Sequence, residues 1–161
     1  MMGADRRPFR EKKHRLPREA YRGRVTAMFT VCVERRGPTL TDPGLVKQLV
    51  ALLGEAAAKH GCTVPIYTFM PDHIHLLMLG MADDSDSYAA MVAFGINAGS
   101  QVPAADLQKD FYDRALRWFE GWETEAWYIA RNPVRKGFAN DPFEWPFTGA
   151  IGHNLRDVLG R

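Results

Sequence analysis

The sequence predicts an α+β domain built on a ferredoxin-like β-α-β-β-α-β sheet, with an additional C-terminal helix that carries a tyrosine on its polar side. Three observations lead there. Residues 24–33 carry the alternating apolar spacing of a strand, and residues 63–80 are rich in β-branched, aromatic and other apolar residues on either side of a Pro71-Asp72 turn. The segments that follow each of them have apolar residues at helical spacing. At 161 residues, with 46% hydrophobic and 25% charged residues, the chain is long enough for one full core, so a single domain is expected.

Taken in order, "RVTAMFTVCV" places Val25, Ala27, Phe29, Val31 and Val33 at period two, a strand buried on at least one face. After "RRGPTL", Asp42 and Pro43 read as an N-cap and first helical residue. Leu45, Val46, Leu49, Val50, Leu52, Leu53 and Ala56 continue that helix to Gly61. "TVPIYTFM" and "HIHLLML" are two arms of a hairpin around "PD", the second ending at Gly80. "ADDSDS" offers N-caps for a helix from about Asp86 to Ala98. "FYDRALRW", Phe111 to Trp118, is the fourth strand. Beyond it Phe119, Trp122, Ala126 and Ile129 form one apolar stripe of a last helix, which Pro133 bends or ends near Asn132. Two split β-α-β units of this kind put both helices on one face of the sheet. The other face is left to a ligand or to the last helix.

Charge divides the chain further. Residues 1–24 hold nine of the 21 basic residues against three acids, a surplus of +6 that leaves −4 on the remainder of a chain whose net charge is +2. The expected division is a basic arm over 1–24, a domain over 25–150 and a tail over 151–161. Such an arm can neutralise phosphates; equally, it can be a solvated tail that binds nothing. No apolar run reaches the roughly 20 residues that cross a bilayer, and no secretory block is visible, so a cytoplasmic protein with no membrane partner is expected. Cys32 and Cys62 lie in or beside strands and read as small core residues.

Side chains two apart in a strand share a face, so His73 and His75 project together, about 7 Å apart along the strand, while Ile74 and Leu76 enter the opposite layer. Two imidazoles so placed can close on one divalent ion, although a bare His-x-His is often only a pair of polar residues on an exposed face. At 100° per residue, Tyr128 and Asn132 lie one turn apart, away from the apolar stripe. A phenol and an amide presented together suit a site in which the phenol attacks and the amide oxygen completes a metal shell. The plain alternative for Tyr128 is a rim tyrosine with its hydroxyl in water.

Four segments carry a resemblance. "MPDHIHLLM" (Met70 to Met78) resembles the "MPNHVHLL" motif of insertion-sequence and REP-associated tyrosine transposases, members of the HUH single-tyrosine group. "WYIARNPVRKGF" (Trp127 to Phe138) is similar to their "YIHxNPVRAGL". "FYDRAL" and "FEWPFTGA" (Phe143 to Ala150) resemble their "FYDRVV" and "YPWSSA", in the same order. The likeness runs from about Tyr21 to Ala150. It departs at "LQKDFYDR", where relatives have "WQRGFYDR": Leu107 stands at the tryptophan and Asp110 at the glycine, an acid where a phosphate would be repelled.

The resemblance implies His73 and His75 as metal ligands, Asn132 as a further ligand, and Tyr128 as the nucleophile. It implies Mg²⁺ or Mn²⁺ as the metal, although the ligand types by themselves also admit zinc. It further implies a DNA transposase acting on hairpin-flanked single-stranded DNA through a 5′-phosphotyrosine. A homodimer, with the tyrosine supplied in trans, and a monomer both stay open. The basic arm, Tyr112 and Trp145 are candidates for phosphate contacts and stacking, the two aromatics being equally readable as core. Two other functions compete: a non-catalytic hairpin-binding protein of the same fold, and a small zinc hydrolase, against which counts the lack of a nearby carboxylate other than Asp72.

Overall fold

Strand β1 (Thr26–Cys32) alternates between two environments, and that alternation organises the molecule. Ala27, Phe29 and Val31 are buried against helices on one face, whereas Met28 lies on the other. The structure is a computed structural model and describes residues 16–35, 37–116 and 121–161. Helix α1 (Pro43–Lys59) follows β1, capped by Asp42, whose side chain accepts from the amides of Gly44 and Leu45. Then come β2 (Cys62–Met70) and β3 (His73–Gly80), joined by the two-residue turn, and helix α2 (Ser87–Gln101), capped by Asp86. Strand β4 (Tyr112–Ala115) is shorter than expected; Arg117 and Trp118 of the predicted strand lie outside the described residues.

The strands form one antiparallel sheet in the order β4-β1-β3-β2, as a split β-α-β pair requires, extended at the β2 edge by a fifth strand, β5 (Thr148–Ile151). The α+β ferredoxin-like expectation holds, and β5 is an addition to it. β2 shifts register against β3 between Thr63 and Ile66 and against β5 between Val64 and Tyr67, and Pro65 lies in both stretches. An irregularity suits a residue with no amide proton to give to a ladder. The shift lets Val64 and Phe69 face one core while Ile66 faces the other.

Helices α1 and α2 pack on one face through Leu49, Leu53, Ala90 and Phe94, among others. On the reverse face a smaller core gathers Ile66 and Leu77 from the sheet with Ala126, Ile129 and Ala130 of helix α3 (Trp122–Ala130). The apolar stripe predicted for the last helix thus faces the sheet, as its spacing requires; Phe119 lies outside the described residues. The predicted single helix is two. α3 ends at Ala130, and after Arg131 a short helix α4 (Asn132–Arg135) begins with Pro133 in its first turn. Proline has no amide proton to give, so the α3 ladder cannot run on unbroken.

Both ends of the described chain are tied down. Tyr21 is buried and its hydroxyl donates to Asp113, while Arg22 and Arg24 lie 3.5 and 3.4 Å from Asp86 and Asp83. The described end of the basic arm is therefore packed on the domain; residues 1–15 lie outside the described residues. The last residues are packed on the sheet as well. Ile151 pairs with Val64, helix α5 (Leu155–Val158) follows, and Leu159 is buried under α3.

Candidate functional site

The site grows from the turn between β2 and β3. Its backbone is fixed from two sides: the Asp72 carbonyl accepts from the Val33 amide at 2.9 Å and the Pro71 carbonyl from the Leu40 amide at 3.1 Å. β3 starts immediately afterwards, so His73 and His75 fall on the α3 side of the sheet while Ile74 and Leu76 are buried on the α1 and α2 side. The imidazoles face each other edge to plane, with ring centroids 4.7 Å apart.

Each ring is held by its inner nitrogen. Asp72 Oδ1 lies 2.7 Å from His73 Nδ1, and Thr30 Oγ1 lies 2.9 Å from His75 Nδ1. Register explains the second contact: Thr30 on β1 is the cross-strand partner of His75, and Thr68 on β2 is its partner on the other side. With both Nδ1 atoms engaged, both Nε2 atoms are left to face the space above the sheet. An outer partner of this kind is what usually fixes a ligating histidine.

His75 is half-buried. Burial pushes its pKa down, to about 3, and nearby His73, Arg135 and Lys136 push the same way against the opposing carboxylate of Asp72. A ring that stays neutral keeps its lone pair for a metal.

Asn132 closes the group. Buried to 5% exposure at the start of α4, it sets its side-chain amide nitrogen 3.3 Å from His73 Nε2. A half-turn of the amide exchanges Nδ2 for Oδ1, so a carbonyl oxygen can stand where the nitrogen does. Among the described residues no group of three or more His, Cys, Asp and Glu side chains is placed to hold a metal ion. The groups that could hold one here are two imidazoles and an amide. Asp72 sits on the inner side of His73, as its orienting partner.

Tyr128 lies near the end of α3, four residues before Asn132. It is 53% exposed, and its ring carries the Arg135 guanidinium at 4.1 Å. Arg135 also donates to the Tyr128 carbonyl at 2.9 Å, next to the break at Pro133. Tyr128 and Asn132 are thus close in sequence but differ in setting, one open to solvent and the other buried against His73. A shallow depression of about 370 Å³ beside Tyr128 is lined by Thr124, Trp127, Arg131 and Arg135.

No family model and no curated protein matches the chain. Among solved structures, one like it is that of a REP-associated tyrosine transposase bound to a REP hairpin, at a TM-score of 0.68 and 22% identity over 80% of this chain and 78% of that one. This chain has the fold of that transposase.

In this transposase fold the two aromatics that the sequence offered as stacking candidates take different places. Tyr112 is buried, and Trp145 is half-buried with its indole N–H donating to the Phe69 carbonyl at 2.9 Å. The exposed aromatic there is Phe138, stacked on Trp145, which the sequence reading passed over. Thr30 was missed as well. Its role depends on the β1–β3 register, which no local pattern encodes. Among the described residues, no helix is long and apolar enough to cross a membrane.

Proposed function

We propose that the chain is a metal-dependent single-tyrosine DNA strand transferase, acting on single-stranded DNA beside a hairpin. The observation that carries the reading is the treatment of the histidine pair: both rings are fixed through Nδ1 and leave Nε2 outward, with the Asn132 amide against one of them. The transposase fold and the four motifs support the same reading, and the hairpin bound by the structural neighbour suggests the form of the substrate.

His73, His75 and Asn132 would hold a divalent cation, Mg²⁺ or Mn²⁺. When bound, it would offset the charge that develops on a non-bridging oxygen of the scissile phosphate. The remaining chemistry belongs to the protein. The exposed Tyr128 phenol attacks phosphorus in line; the Tyr Oη–P bond forms as the P–O3′ bond breaks, and the phenolic proton leaves to water or a neighbouring base. A 5′-phosphotyrosine and a free 3′-hydroxyl result. Attack by another 3′-hydroxyl reverses the step and joins a new strand. Bond energy is retained in the phosphotyrosine, so no nucleotide cofactor enters the balance.

The test is to incubate the protein with hairpin-flanked single strands and Mn²⁺. A covalent protein–DNA adduct is expected with the native chain and none with Tyr128→Phe. Adduct from Tyr128→Phe would overturn the assignment. Binding without adduct from the native chain would favour a non-catalytic hairpin-binding protein.

A further inference from the structure

We infer that Phe138, carried on Trp145, is a stacking platform for one unpaired base of a single-stranded nucleic acid beside the histidine site. The inference deepens the reading above and rests on it for the class of ligand. Four observations lead to it.

Phe138 is 50% exposed, an unusual position for a phenylalanine in a small domain, and one face of its ring is already covered. Trp145 lies under it, the rings 22° from parallel with centroids 5.5 Å apart. Trp145 itself is fixed, by its hydrogen bond to Phe69 at the end of β2 and by edge contact with Phe147.

The backbone that presents Phe138 is equally fixed. The Gly137 amide bonds to the Val134 carbonyl at 3.0 Å and the Phe138 amide to the Pro133 carbonyl at 2.8 Å. This is the paired arrangement that ends a helix with a left-handed residue, and Gly137 supplies it at φ +82°. Phe138 is thus tied to the same short helix as Asn132. Met70, next along β2 from Phe69, pairs with His73. The platform and the histidines share one end of the β2–β3 hairpin.

The charge of the segment leading to the platform suits a nucleic-acid strand. Arg131, Arg135 and Lys136 are exposed there and no acid occurs from Arg131 to Asn140; beyond Phe138, Asp141 is paired with Arg161 and Glu144 is exposed beside Trp145. Aromatic faces flanked by cations bind single strands because every base offers a π face and every linkage a negative charge. A protein partner could use an exposed phenylalanine, but it gains nothing from a ring held parallel to a second ring, whereas a planar base extends the stack.

The experiment measures affinity by fluorescence anisotropy in EDTA, with the full chain and three synthetic DNAs: a blunt hairpin, the same hairpin with single-stranded flanks, and flanked hairpins made abasic at one flank position at a time. Phe138→Ala is expected to weaken the flanked hairpin about tenfold and leave the blunt one unchanged; a single aromatic–base stack has that order of effect. Phe138→Trp should restore binding. Phe138→Leu, which keeps the apolar cover over Trp145, should stay weak. At one flank position the abasic substitution should weaken the native chain by the same factor and Phe138→Ala no further.

Equal loss on blunt and flanked DNA, full affinity in Phe138→Ala or Phe138→Leu, or no binding of any of these DNAs overturns the inference. The outcomes separate it from the strand-transfer reading. Tyr128-dependent adduct together with normal Phe138→Ala binding removes the platform alone. A base-dependent Phe138 effect without adduct keeps the platform and removes the chemistry.

Discussion

Thr30 and His75 are 45 residues apart in sequence and 2.9 Å apart in space, Oγ1 against Nδ1. One hydroxyl on β1 therefore decides which nitrogen of the histidine is turned outward. Replacing Thr30 with valine keeps the shape and β-propensity of the side chain and removes this contact. Mn²⁺ affinity, measured by titration calorimetry, is expected to fall about tenfold, the lower end of what loss of an outer partner costs. Unchanged affinity in a folded Thr30→Val protein would mean that the threonine does not orient the ring.

A pH dependence follows from the setting of His75. Its pKa is depressed in the fold to about 3, so from about pH 6.5 downward the unfolded chain takes up a proton that the native state refuses. The stability associated with the neutral ring is therefore fully present above pH 6.5 and declines as pH falls towards 3, by at most about 1.4 kcal/mol per unit. His153 is depressed in the same direction by burial, so the useful quantity is the difference between native protein and His75→Gln. Urea unfolding across pH 4 to 8 should show the advantage of the native chain shrinking on the acid side. Parallel curves would remove His75 as the source.

Ile129 is fully buried and packs with Ile66 and Leu77 beneath α3, one residue from Tyr128. Ile129→Ala is expected to cost about 2–5 kcal/mol in urea unfolding, the usual range for such a cavity. Because that contact seats the helix carrying the tyrosine, adduct formation should fall in the same variant even under conditions where it remains folded. A folded Ile129→Ala protein with undiminished adduct would separate the helix seat from the chemistry.

Much of this was readable in advance wherever the pattern is local. The alternation of β1 and β3, the Asp42-Pro43 helix start, the hairpin at Pro71-Asp72 and the apolar stripe of α3 all depend on neighbours within a few residues. β5 was not readable. It has four residues, too few for period two to emerge, and it depends on finding the β2 edge at a register irregularity. The single last helix was expected to present Tyr128 and Asn132 together. Pro133 was foreseen as a bend, but its consequence, a buried Asn132 beside an exposed Tyr128, depends on where the sheet lies beneath the break.

By itself, then, the sequence determined that His73 and His75 share a face and that Ile74 and Leu76 oppose them, because strand alternation is a property of the backbone. It also determined that a tyrosine and an amide follow one another four residues apart. Only the tertiary structure decided which nitrogens remain outward, that Asn132 meets His73 across 59 residues of chain, and that Phe138 is exposed on top of Trp145. Those facts arise from register between distant strands and from the covering of one sheet face by α3, and neither is encoded in any short window of residues.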